Sequence, residues 1–159
     1  MKQNSPESIK KPLDNVDRKI ICLLQKDGRL SNIMISKQLG ISEATVRNRL
    51  NRLINENFIK IVAVSNPLNL GFKIVGIIRI EVVVQQQEEV TKKLEKIKSL
   101  WSIVYTTGTA DIYTEFVVKS LEELNELLLK KISKIDGIIR TETSLIMKYI
   151  KRKYDWGTS

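Results

Sequence analysis

No histidine occurs anywhere in the 159 residues. Imidazole chemistry is therefore closed to this chain: no histidine general base, no histidine-activated nucleophile, no histidine metal ligand. Cysteine is nearly as scarce. The single Cys22 has no second thiol to pair with, and its place among Ile20, Ile21, Leu23 and Leu24 predicts a small buried apolar side chain. The seven glycines follow neither the P-loop nor the dinucleotide-binding spacing. No apolar run approaches the ~18 residues of a membrane helix, and the N-terminus lacks the pattern of an export signal. A cytoplasmic chain without enzymatic chemistry, metal or cofactor is the expectation.

Basic residues, by contrast, are plentiful. Lys and Arg number 27 against 18 Asp and Glu, a formal net charge of +9. Residues 1–65 hold 12 Lys and Arg against 6 acids and residues 66–159 hold 15 against 12, so the first part carries +6 and the second +3. A polyanionic partner suits that balance. With 42% hydrophobic residues, the chain can build the cores of one or two small domains.

The basic excess surrounds one pattern, SNIMISKQLGISEATVRNRLNRL from Ser31 to Leu53. Ser31 and Ser42 stand where helix N-caps are wanted, and Gly40 follows the last apolar residue of the first helix, Leu39. In the second helix Val46, Leu50, Leu53 and Ile54 repeat at i, i+4, i+7 and i+8 as one apolar stripe. The outer face then carries Ala44, Thr45, Asn48, Asn51, Arg52 and Asn55, with Arg47 and Arg49 at its margins. An ordinary amphipathic pair with a solvated face shares some of this. The placement of Ser36, Gly40 and the apolar Ile35, Leu39, Ile41 and Val46 adds the turn of a helix-turn-helix, whose second helix enters a DNA groove. Thr45, Asn48 and Arg49 are the expected base readers, since Asn can bond adenine and Arg guanine bidentately. Arg52 is expected on phosphate or base and Arg47 on the same DNA surface. Ser31 and Ser42, at helix N-termini, are expected beside phosphate oxygens.

The rest of the chain divides around this unit. Residues 1–12 are polar and read as a tail, in which Lys10 and Lys11 are candidate phosphate contacts. Asp14 caps a first helix bearing Val16, Ile20, Leu23 and Leu24, so that residues 13–60 form a tri-helical DNA-binding domain, with Asn57 ending the third helix. Residues 61–72 are a strand and linker; Ile59 to Val64 alternates weakly as a strand serving as wing or linker. From Lys73 the pattern becomes βαββαβ: strands at Ile74 to Val84, Trp101 to Thr107, Ile112 to Val118 and Ile138 to Met147. One helix carries Val90, Leu94 and Ile97. The other opens with a Ser120–Glu123 capping box and turns Leu121, Leu124, Leu128 and Ile132 inward. Residues 73–148 thus predict an α+β ferredoxin-like sandwich with both helices on one face. Its open face is simply covered by pairing with another subunit. Residues 149–159 are a basic, aromatic tail with no motif.

Several separate stretches, LDNVDRKIICLLQKDGRLS, ISEATVRNRLNRLINENFI, NPLNLG, GTADIY and DGIIRTETS, occur in the order found in one family. Over Leu13 to about Lys148 the chain resembles the Lrp/AsnC, or feast/famine, transcriptional regulators. It departs at Asn57, where the family usually has glycine, and at Ile35-Ser36, where Leu-Ala is commoner. The resemblance implies an N-terminal winged helix-turn-helix on double-stranded DNA and a C-terminal ligand-sensing (RAM-type) domain. It also implies homodimers that assemble into tetramers or octamers, with an amino acid or related effector between C-terminal domains. On that resemblance Gly108, Thr109, Ala110 and Asp111 match the family's Gly-x-x-Asp loop, and Thr141 and Thr143 match its paired threonines. Asp111 would then meet the effector's ammonium, and the loop N–H groups and threonine hydroxyls its carboxylate. Glycine and aspartate also suit a plain hairpin turn.

Two other functions share features with a regulator. An architectural protein coating duplex without sequence choice has the same charge but no operator preference. Haem-precursor decarboxylases resemble the family in fold, yet their chemistry needs a pocket of proton donors, and this chain offers no histidine.

Overall fold

The computed structural model describes residues 11–152. Lys10 and the end of the basic tail (Lys153, Tyr154, Trp156) lie outside the described residues. Two compact units divide between Val64 and Ser65, the second running to Ile150.

The first unit is three helices: α1 Asn15–Lys26, α2 Asn32–Leu39 and α3 Glu43–Asn55. Each start is set by a side chain that accepts from an otherwise orphaned backbone N–H. Asp14 and Asp17 form a reciprocal capping box on α1, Ser31 caps α2 and Ser42 caps α3. The stops are equally local. Gly40 (φ 66°) and Asn57 (φ 58°) occupy the left-handed region beyond α2 and α3. The N–H groups of Asn57 and Phe58 bond back to the Ile54 and Leu53 carbonyls at 3.0 and 2.9 Å, a Schellman ending. Ile20, Ile21, Ile35, Val46 and Leu53 form the core. Ser36 is buried with them because α2 needs a small residue there, and its hydroxyl donates to the Ile33 carbonyl at 2.8 Å. Cys22 is only half-buried rather than a member of this core.

One expected element is missing. Ile59 to Val64 pairs with no strand among the described residues, and Ile61, Val62 and Val64 are 47%, 58% and 60% exposed. Strand-forming side chains make a strand only where a partner ladder is available, and the described residues supply none here.

The second unit is an antiparallel sheet of β1 Ile74–Val82, β2 Leu100–Tyr105, β3 Ile112–Val118 and β4 Ile138–Leu145, in the order β2-β3-β1-β4. One face meets α4 Gln87–Leu94 and a second helix that is α-helical over Leu121–Asn125 (α5) and π-helical over Glu126–Ile132. Ile78, Ile80, Ile112 and Phe116 on the sheet close over Val90, Leu94, Leu124, Leu127 and Ile132. The π segment corrects the expected inward set. Its five-residue repeat, seen in Ser133 N–H to the Leu128 carbonyl at 3.0 Å, brings Leu127 and Ile132 into phase. Leu127 is buried and Leu121 is 61% exposed. The capping box is shifted by one residue too: Ser120 accepts from Glu123 N–H, but Glu123 accepts from Lys119 N–H. Gly76 marks the closest packing, since a Cβ there would stand 2.5 Å from the Phe116 ring and 2.7 Å from the Ser144 carbonyl.

Candidate nucleic-acid face and effector hollow

Helix α3 has two sides with different duties. Ala44, Thr45, Arg47, Asn48, Asn51 and Asn55 are exposed. Among the described residues Arg47, Asn48 and Asn51 have no side-chain partner, so their donors are free for a groove. The Thr45 hydroxyl lies 2.8 Å from the Ser42 hydroxyl within the cap. Ser31 and Ser42 stay exposed at their helix N-termini while accepting from Met34 and Thr45 N–H groups.

Arg49 and Arg52 are placed otherwise. Their side chains are 30% and 21% exposed, and both turn to α1. Arg49 Nη1 donates to Asp14 Oδ2 at 2.6 Å and to Asp17 Oδ1 at 2.9 Å, while Arg52 Nη2 donates to Asp17 Oδ2. Asp17 is fully buried. The remaining oxygen capacity is used by the cap, with Asp14 N–H donating to Asp17 Oδ2 at 3.1 Å and Asp17 N–H to Asp14 Oδ1 at 2.9 Å. All four carboxylate oxygens therefore have donors. The Arg49 guanidinium, with the Asp17 N–H second, holds the Asp14 carboxyl down at about 2 from its ordinary 3.8. Asp14 first and Asp17 second raise Arg49 in return. Two of the residues expected to meet DNA are thus engaged within the protein. Asp17 lies outside the expected site residues, although the spacing Asp-x-x-Asp on one helix and Arg-x-x-Arg on another signals two faces of opposite charge.

In the second unit the loop Gly108–Asp111 joins β2 to β3, with Gly108 at φ 111°. Asp111 ties it down. Its Oδ2 accepts from Val82 N–H at 2.8 Å, where the β1–β4 register slips, and its own N–H donates to the Ile80 carbonyl at 3.0 Å. The Thr106 hydroxyl donates to the Ala110 carbonyl at 2.8 Å. Thr109 and Ala110 are thereby held over the sheet face opposite the helices, where they line a shallow hollow with Arg79, Glu81, Arg140 and Glu142. Arg79 pairs with Glu142 at 3.0 Å. Glu81 and Arg140 are register partners on adjacent strands, yet among the described residues neither has an ion pair or hydrogen bond from its side chain.

The six residues expected around one effector are not gathered together. Thr109 and Ala110 line the hollow, while Asp111 uses an oxygen to fix the loop. Thr141 and Thr143 pair with Ile80 and Ile78, whose side chains are in the core, so both threonines lie on the helix-bearing face. Glu81 and Arg140 lie outside the expected set; alternation along β1 and β4 turns both outward, and the β1–β4 pairing of a ferredoxin-like sheet brings them together. Among the described residues no group of three His, Cys, Asp or Glu is placed to hold a metal. No described helix is long and apolar enough to cross a membrane.

Comparison with known proteins bears on both units. A family model described as winged helix-turn-helix DNA-binding matches residues 13–60, and one described as Lrp/AsnC ligand binding domain matches residues 75–156. An uncharacterized HTH-type transcriptional regulator of Pyrococcus horikoshii is 40% identical over 153 residues, 96% of this chain and 94% of the relative. The HTH-type transcriptional regulator FL11 of Pyrococcus furiosus is 38% identical over 140 residues, 87% of this chain and 92% of the relative. Among solved structures, E. coli AsnC superposes with a TM-score of 0.84 at 26% identity, over 91% of this chain and 98% of that one. A transcriptional regulator of Neisseria meningitidis, solved as a complex with L-Met, shares the fold with a TM-score of 0.85 at 21% identity, over 92% and 97%. The architecture is an N-terminal winged helix-turn-helix and a C-terminal RAM-type ligand-binding domain, and the chain belongs to the Lrp/AsnC family of HTH-type transcriptional regulators, which bind DNA and are not enzymes.

Proposed function

We propose that this chain is a sequence-selective regulator whose DNA binding responds to an α-amino acid or a closely related zwitterion seated in the sheet hollow. The observation that carries the effector half is the facing but unpaired Glu81 and Arg140 beside Thr109 and Ala110. A zwitterion supplies what each lacks. Arg140 takes the carboxylate through its planar fork, and Glu81 takes the ammonium. The backbone N–H groups of Thr109 and Ala110 add donors for the carboxylate. Asp111 acts by holding that loop. The neighbouring Arg79–Glu142 pair gives the rim alternating charge, which discriminates against ligands bearing a single net charge. One solved neighbour holds L-Met, an α-amino acid of this chemistry.

The division of labour follows: residues 13–60 read double-stranded DNA and residues 73–148 sense the effector and assemble. The open sheet face favours a homodimer, which would set the hollow and its effector between C-terminal domains, with tetramers or octamers built from it. The effector acts by binding one assembly state better than another, the only way a ligand shifts an equilibrium. The test is binding of the full chain to a duplex enriched from a random library and to a scrambled duplex, at ~150 mM salt, with each of the twenty amino acids in turn. Selective binding moved by at least one amino acid is the expected result. Equal affinity for both duplexes would place the chain with architectural coating proteins instead.

A further inference from the structure

We infer that Arg49 and Arg52 are positioning residues, which with Asp14 and Asp17 lock the angle of α3 against α1, and that bases are read by Arg47, Asn48 and Asn51. This rests on the reading of α3 as the groove-entering helix. Three observations carry it. First, every oxygen of the two carboxylates already has a donor, and Arg49 Nη1 is shared by both acids at 2.6 and 2.9 Å. Second, Asp17 is fully buried. Withdrawing Arg49 and Arg52 to meet DNA would leave a buried carboxylate without a counter-charge, among the least favourable changes a protein can make. Third, the α1 capping box and the interhelix pairs use the same carboxylates. The start of α1 and the flank of α3 are therefore fixed by one hydrogen-bonded cluster, 32 to 35 residues apart in sequence.

Geometry makes such a lock matter. Readers on a helix must meet base edges at hydrogen-bond distances, and a small rotation of α3 moves all of them at once. Arg47 and Asn51 sit on the opposite flank and outer face from Arg49, exposed and without a side-chain partner among the described residues. They are free to reach a groove while the lock stays shut.

The roles separate by which base positions a substitution affects. The wild-type chain selects a duplex from a random library, and every single-base variant of that duplex is then titrated with Asp17→Asn, Arg49→Gln, Arg52→Gln, Asn48→Ala and Asn51→Ala. Asn48→Ala and Asn51→Ala are expected to flatten preference at one position each. Asp17→Asn, Arg49→Gln and Arg52→Gln are expected to weaken preference at all read positions together. For these three the selected-over-scrambled ratio falls at least about tenfold. Their salt slope stays unchanged, whereas loss of a phosphate contact lowers it by about 0.9. A single flattened position for Arg49→Gln or Arg52→Gln would show base reading and overturn the inference. A lowered salt slope for either, or tighter binding by Asp17→Asn, would show that these arginines meet DNA. An unchanged base profile with only a smaller active fraction would make the cluster purely structural, which also contradicts it. Should Asp17→Asn fail to fold by circular dichroism, Arg52→Lys decides: it keeps the charge but not the planar fork. The expected result is then the same broad weakening, and wild-type preference is the contrary one. A wild-type chain that selects no duplex would instead remove the sequence-selective reading itself.

Discussion

The two units of this chain each hold a telling group of opposite charges, one locked together and one left apart. In the helical unit Asp14, Asp17, Arg49 and Arg52 are mutually paired, with one carboxylate fully buried. In the sheet unit Glu81 and Arg140 stand opposite each other on neighbouring strands and make no pair. The cores explain part of the difference. Among the described residues the core cluster of the helical unit holds five buried apolar residues, against thirteen in that of the sheet unit. A small core leaves helix angles underdetermined, and directional ion pairs supply the missing constraint. The sheet is fixed by its ladders and by Phe116 packed on Gly76. The Glu81 and Arg140 side chains take no part in either, and their charges are the ones proposed above to meet a ligand. The buried pairs tie α1 to α3, whereas the Glu81 and Arg140 charges tie nothing together.

The largest expected effect comes from breaking the paired cluster. Asp17→Asn should destabilise the helical unit by about 3 kcal/mol, the lower end for a broken buried pair because both arginines keep some solvent. Urea unfolding of the full chain measures it, and a change within about 0.5 kcal/mol, typical of surface substitutions, would mean the cluster is not structural. Next is Arg140→Ala. Its folding stability should match the wild type, while affinity for the amino acid that shifts DNA binding should drop at least tenfold, or about 1.4 kcal/mol; calorimetric titration gives the ratio. Glu142→Gln sharpens the contrast within the sheet. The Arg79–Glu142 pair is 41% and 59% exposed, so its loss should cost no more than about 1 kcal/mol in the same urea assay.

Acid gives the smallest effect. A carboxyl depressed from 3.8 to about 2 by folding stabilises the fold fully above its ordinary value, and that contribution fades as pH falls from 3.8 towards about 2. Asp14→Asn should therefore lower the melting temperature slightly at neutral pH, and the difference from wild type should close as pH falls through about 2. A difference that persists at the acid end would assign the effect to the cap hydrogen bond rather than to charge.

What was legible in the sequence was local. Ser31, Ser42, Gly40 and Asn57 announced helix boundaries because caps and left-handed turns depend on the residue itself and its near neighbours. Alternation is equally local, and along Ile78, Ile80 and Val82 it matches the buried face of β1. Leu121 and Leu127 exchanged places because the π segment changes the helix period, which no regular template anticipates. Ile59 to Val64 carries strand-forming side chains without a partner among the described residues. Arg49 and Arg52 were legible as basic residues on α3, but not the direction they take. That direction is set by acids on another helix, and a helical projection of one segment contains no information about them. Likewise Thr141 and Thr143 looked like companions of the Gly108–Asp111 loop until strand register placed them across the sheet from the hollow.

One measurement tests the account most directly: binding of the wild-type chain and of Arg140→Ala to the same selected duplex, with and without the twenty amino acids. The account predicts equal affinity for both proteins without amino acid, and a shift by at least one amino acid in the wild type alone. Equal shifts in both proteins, or no shift in either, would contradict it.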